Sequence, residues 1–443
     1  MFFIPIFICI DPLSNSSLNF SSKIKTGFDL DILDIAAILV TLSAIFMYIN
    51  VRFIKLPNAI GLMLIALIMS LALLLSGMVF PGLAVQYTWL IEGVDFNKTL
   101  MSGMLSFLLF AGSLHVNIDD LLEQKWVISI LATLGVVGST FIIGCVLYYL
   151  LPVIGIQVPF IYTLLFGSLI SPTDPIAVLG ILKQANAPRS LETKISGESL
   201  FNDGVGVVIF TAILGIAMST DGHMTASHIA LLFLEEAIGG AIFGFVLGWV
   251  VYRMLKSVDH YEVEILLTVA LVLGGYSLAA TLHLSGPIAM VISGLLIGNR
   301  GKAFAMSNRT HTQLFSFWEL IDEFLNAVLF VLIGLEILIL TFDQNYFLSG
   351  LLAIPIVLLS RGTCVGLAVN LLKRSHSFSP HVVKILTWGG LRGGISVALA
   401  LSLPPGEPRS LIIMMTYIVV VFSIVVQGLS LRSLIQYSLE RSA

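Results

Sequence analysis

Charge is scarce in this sequence. Only 11% of its 443 residues are Asp, Glu, Lys or Arg, against 57% hydrophobic residues, and the mean hydropathy is +1.02. Soluble domains carry roughly 25% charged residues. A water-soluble chain cannot hide this much apolar surface, so the bilayer must be its solvent and lipid its partner. Cysteine is nearly absent as well. Cys9, Cys145 and Cys364 stand far apart, with no CxxC or Cys/His spacing, which excludes a disulfide framework and a zinc site. No GxxxxGK[ST] motif occurs, so no ATP motor and no ATP partner is expected. The net charge of −4 gives no reason to invoke nucleic acid. Nothing in the composition calls for a cofactor, and no polar stretch is long enough for a soluble domain.

What is present is a series of long apolar runs. A spanning helix needs about 20 mostly apolar residues. The expected spans are 33–51, 57–77, 99–117, 127–151, 159–183, 195–218, 227–252, 262–283, 285–299, 319–340, 347–371, 380–403 and 410–431, about thirteen in all. Residues 1–31 open on MFFIPIFICI, apolar but short and without a basic leader. They are set aside as an N-terminal extension. With an odd count, loops on one side carry Arg52, Lys55, Lys125, Lys183, Arg189, Lys194, Arg253, Lys256, Arg300, Lys302, Arg309, Lys373, Arg374, Lys384, Arg432 and Arg441. The other side carries only Lys98 and Arg409, besides Lys23 and Lys25 of the extension. The positive-inside rule then places the N-terminus outside and the C-terminus in the cytoplasm.

Two spans look broken. The fifth contains SPTDP at 171–175, whose prolines lack amide hydrogens and leave carbonyls near Ser168 and Ser171 without helical partners. The twelfth contains GGLRGG at 389–394, with four glycines around Arg392. Broken helices at matching places in two halves point to a transporter binding site. The spacing makes the halves inverted, as a first repeat at 32–218, a linker helix at 219–256 and a second repeat at 257–443. The fold class expected is an all-α polytopic membrane protein of two inverted six-helix repeats.

A charge at mid-bilayer costs about 2.5–3.5 kcal/mol on insertion scales, so charges inside spans need reasons. Asp174, Glu198, Asp203, Arg361 and Arg392 lie well inside them, and Asp322, Glu323 and Glu336 lie nearer the ends of the tenth. Asp174 beside Thr173 and freed carbonyls offers the oxygen ligands that hard cations favour. It also suits the cap of a half-helix. In GESLFNDGVGVVIF at 197–210, Ser199 and Asp203 share one helix face, as do Glu198 and Asn202. Ser199, Asn202 and Asp203 present oxygens to one site, or else form a structural polar cluster. A carboxylate buried beside another is costly as a bare charge, which suits it to carry either a proton or a cation. Glu198 needs a partner, and both Arg361 and Arg392 are candidates for a structural ion pair; Arg392 is also placed to compensate half-helix ends.

Weaker candidates are Asp322, Glu323 and Asn326 as a polar network near the cytoplasmic end, and Glu235 and Glu236 at a span start. His115 and His283 are interfacial, His223, His228, His376 and His381 are loop residues without a third ligand, and Gly239, Gly240, Gly244 and Gly248 suit close helix packing.

SPTDP followed by GESLFNDG resembles the sodium/proton exchangers of the monovalent cation:proton antiporter-1 family. LHLSGPIAMVISGLLIGN (282–299), LIDEFLNAVLFVLIGLE (320–336) and WGGLRGGISVALAL (388–401) extend the likeness from about residue 33 to the end. The resemblance implies a secondary antiporter, not an enzyme, exchanging sodium or lithium for a proton in pH homeostasis at the cell membrane. It implies a homodimer, an elevator-like transport domain, and a monovalent cation or proton held by Asp203 with Asp174, Thr173, Ser199 and Asn202. Asn202 before Asp203 fits the electroneutral members. Glu198 would pair with Arg361, with Arg392 second. One position departs: where many relatives carry a Glu in the third span, this chain has Ala111 in LLFAGSLHV, 108–116. The runner-up is potassium/proton exchange on the same fold. An intramembrane aspartyl protease lacks support, since Asp203 precedes its glycine instead of following a GxG; a channel or transporter-like sensor ranks ahead of it but behind both exchangers.

Overall fold

The computed structural model describes residues 32–79, 96, 99–185, 187–218, 226–301, 306–340, 343–374, 378 and 381–440. The N-terminal extension, Lys98, Lys302, Arg441, His223 and His376 lie outside them. All regular structure among the described residues is helical, without a strand. Eight helices are long and apolar enough to cross a bilayer: Leu33–Ile54, Asn58–Ser76, Lys125–Ile154, Arg189–Met218, Glu235–Leu255, Tyr261–Thr281, Gln344–Leu372 and Glu407–Ser438. Shorter or more polar helices lie between them, including Leu105–Leu114, Gly286–Leu296 and Asn308–Leu335.

Local chemistry sets the ends. Asp343 caps Gln344–Leu372 by accepting from the Asn345 amide at 2.8 Å, and Ser285 opens Gly286–Leu296, where Pro287 fits the first turn. The two interrupted spans split as expected. Phe160–Ile170 and Ile176–Gln184 flank residues 171–175, and Val382–Trp388 and Gly394–Leu401 flank residues 389–393. Prolines remove helical donors in the first break, and the glycine run weakens helix in the second.

Two apolar clusters organise the packing. The larger joins both broken spans to Asn58–Val79, Gln344–Leu372 and Glu407–Phe422. The smaller gathers Leu105–Leu114, Tyr261–Thr281, Gly286–Leu296 and the first half of Asn308–Leu335 around Trp318. Side chains such as Leu359, Leu367 and Leu371 point outward, each at least 65% exposed, as lipid-facing positions should in a protein whose solvent is hydrocarbon.

The glycine stripe of Ala226–Leu255 does pack closely. A Cβ on Gly240 would stand 2.6 Å from the Ser285 carbonyl oxygen, and one on Gly244 only 2.3 Å from that of Ala289. Ser293 uses the closeness to donate its hydroxyl to the Gly244 carbonyl at 2.8 Å. Backbone cannot yield as a flexible side chain does. Gly244→Val should therefore lower stability by about 1–3 kcal/mol. Gly112→Ala, at a position with no atom within 4 Å, should cost nothing. Thermal unfolding in detergent compares the two.

Candidate ion-binding site

The two broken spans cross at their gaps and hydrogen-bond there. The Asp174 amide donates to the Leu391 carbonyl at 2.8 Å. The Asp174 carboxylate accepts from the Ile176 amide at 2.9 Å, capping the following half-helix. Its other oxygen faces Gly393, where a Cβ would fall 2.1 Å away. Only glycine lets the second backbone come so near a carboxylate.

Arg392 completes the crossing. Its guanidinium donates to the Ser171 carbonyl, and to that of Pro172 at 2.7 Å. Ser171 is the carbonyl that an amide at residue 175 would meet in an unbroken helix, and Pro175 has none. The Arg392 amide is held in turn by the Ser423 hydroxyl at 2.9 Å.

The long helix Arg189–Met218 supplies the facing wall. Ser199 donates to the Thr173 carbonyl. Asn202 donates to the Thr173 hydroxyl at 2.9 Å and accepts from the Thr173 amide at 3.4 Å. Ser199, Asn202 and Thr173 are all buried. Asp203, one residue further on, is only partly buried, and its side chain has no hydrogen bond or ion pair among the described residues. Asp174 is close enough for the two charges to repel. The five residues thus come together: three neutral ones lock the broken segment to the helix, and two carboxylates are left without a counter-charge.

Glu198 turns to the opposite neighbour. Both terminal guanidinium nitrogens of Arg361 donate to its carboxylate, the Nη2–Oε2 bond being 2.8 Å long. Arg361 also reaches the Leu386 carbonyl at 3.4 Å, tying the pair to Val382–Trp388. Arg392 does not pair with Glu198; its bonds go to the first break. Sequence alone left both arginines open, and depth in the bilayer does not separate them.

Other expectations shift. The helix that carries the tenth span begins at Asn308, eleven residues before 319, so Asp322 sits in the middle of its helix. Glu323 and Glu235 are exposed. Glu336 is buried, within reach of the Arg409 charge. Ala111 is fully buried in the smaller apolar cluster. His283 and His381 take left-handed backbone conformations at helix ends, and the His228 side chain lies outside the described residues. Residues that sequence reading missed are Leu391, Gly393 and Ser423. The glycine run was their signal, since it marks where backbone must approach something closely.

The pattern of the transmembrane sodium/hydrogen exchangers matches residues 39–437. The chain belongs to that family. It is 52% identical over 409 residues to the Na(+)/H(+) antiporter NhaP of Pseudomonas aeruginosa, covering 91% of this chain and 96% of that one. It is 34% identical to the Na(+)/H(+) antiporter NhaH of Halobacillus aidingensis, over 92% and 97% of the two chains. The fold is that of the sodium proton antiporter MjNhaP1 of Methanocaldococcus jannaschii, with a TM-score of 0.72 at 20% identity, over 90% and 96% of the chains. The chain is accordingly a multi-pass membrane protein of a family of transporters, not enzymes, whose ions are cargo and which needs no cofactor.

The buried ion pair makes a direct prediction. Arg361→Ala leaves Glu198 charged and unpartnered, and should cost about 3–5 kcal/mol. Removing both charges with Glu198→Leu and Arg361→Met should recover most of that loss. Melting curves of the three variants in one detergent measure it.

Proposed function

We propose that this chain exchanges sodium or lithium for a proton by competition at one carboxylate, Asp203. The observation that carries the reading is the contrast within the site. Thr173, Ser199 and Asn202 spend their polar groups on one another, while Asp203 stays unbonded and partly exposed beside Asp174.

A bare carboxylate in that position is repelled by its neighbour and poorly solvated, so it holds a cation or a proton. An arriving cation displaces the proton, and an arriving proton displaces the cation. The carrier crosses only when loaded, which couples the two flows. Asp174 shapes the site while capping its half-helix, and Thr173 and Ser199 lend oxygens when a cation sits between the carboxylates. Asn202 carries no titrating proton. An aspartate there would add a second proton site, so the amide favours one-for-one, electroneutral exchange. The sodium assignment rests on relatives named as sodium/proton antiporters.

The wider architecture follows the same reading. The chain crosses the cell membrane thirteen times with its N-terminus outside, as an inverted repeat of 32–218 and 257–443 joined by 219–256. It works as a homodimer in which the crossed spans move as a unit. The Glu198–Arg361 pair serves as structural glue within that unit, and Arg392 as the counter-charge of the crossing.

In proteoliposomes, Asp203→Asn and Asp174→Asn should each abolish cation-driven proton movement while the protein stays folded and monodisperse. Exchange retained by either variant overturns the single-site reading. A panel of sodium, lithium and potassium, run with and without an imposed membrane potential, assigns the cargo. Exchange unaffected by potential is expected, and acceleration or reversal by it overturns electroneutrality.

A further inference from the structure

The exchange site accounts for Asp174 and Asp203 but leaves a third carboxylate nearby unused. Asp322 lies in the middle of Asn308–Leu335, half-buried. A half-buried carboxylate in a chain this apolar requires a reason. Glu319 and Glu323 on the same helix are near it, and Asp174 on the first broken span also acts on its charge. Among the described residues, no cation stands beside it in the way Arg361 stands beside Glu198.

Helix geometry fixes which way this group looks. Residues 322, 326 and 329 share one face. Leu329 packs on Gly394, where a Cβ would come within 2.5 Å of its side chain. Gly393, the preceding residue, packs on the Asp174 carboxylate. The face bearing Asp322 and Asn326 is therefore turned toward the crossing. Asn326 is 5% exposed. Its amide group is in hydrogen-bonding range of Asp322, and its Oδ1 is buried without a partner. An unpartnered buried carbonyl oxygen costs about 1–3 kcal/mol, and beside a carboxylate it is a cation ligand in waiting.

We propose that the Asp322 carboxylate and the Asn326 side-chain oxygen form a second, transient site for the monovalent cation, next to the exchange site and feeding it. The inference rests on the exchange reading above. The cation stops there with part of its water shell, then moves to the Asp174–Asp203 pair, where the proton leaves. Two weak sites in series let an ion approach a desolvated carboxylate without one large dehydration step. The neutral oxygen of Asn326 replaces lost water, and the Asp322 charge holds the ion at the depth where bulk water ends.

The test measures sodium uptake in proteoliposomes as a function of sodium concentration. Asp322→Asn removes the charge, and Asn326→Leu removes the oxygen at nearly constant volume without changing charge. Each should raise the KM for sodium about five- to twentyfold, with the maximal rate falling no more than about twofold. Asp322→Glu should restore most of the affinity. If Asp322→Asn does not give a monodisperse protein, Asn326→Leu and Asp322→Glu carry the test. Wild-type KM in either folded removal variant overturns the second site; so does a rise confined to Asp322→Asn, because a long-range field then explains it without a ligand. Asp203→Asn is run alongside. Exchange by that variant means the underlying reading has failed, whereas a dead Asp203→Asn with unchanged KM in the other two refutes only the second site.

Discussion

Backbone that leaves helical form at membrane depth must find hydrogen bonds within the protein, since lipid offers none. The crossing of the two broken spans meets that demand with its own parts. One backbone donates to the other between Asp174 and Leu391. The carbonyls orphaned by proline receive the Arg392 guanidinium. The exposed amide of the second half-helix is capped by Asp174 itself. Each break thereby satisfies groups that the other leaves open. The proposed ion site follows from this constraint, because the capping carboxylate is also the one whose charge acts on Asp203.

Charge is distributed by the same logic. Glu198 and Arg361 cancel each other where no water reaches them. Arg392 spreads its charge over two carbonyls. Asp174, Asp203 and Asp322 have no such counter-charge among the described residues. A bilayer tolerates such a concentration of negative charge only if protons or cations share it. The neutral residues around it are bonded to one another, which holds the carboxylates in place while their occupants change.

Close packing supports this arrangement from outside. Gly240 and Gly244 let one helix lie against the backbone of another, and Gly393 does the same for a strand of broken helix against a carboxylate. Small residues bring polar backbone within reach where apolar side chains would hold it apart.

The sequence by itself determined the solvent, the helical class, the positions of both breaks and the five candidate residues that the structure brings together at the crossing. Composition and proline placement act locally, so they are readable in one dimension. SPTDP and GESLFND also set their polar groups at spacings that a helix must bring to one face. Only the tertiary structure decided what lies across from what. Arg361 and Arg392 are equally deep and equally charged, and their partners differ because different helices meet them. The orientation of Asp322 depends on Leu329 meeting Gly394, which its own helix does not reveal. Such pairings join residues far apart in the chain, 163 positions for Arg361 and Glu198. They are set by packing and by the need to satisfy buried polar groups, neither of which leaves a local mark in the chain.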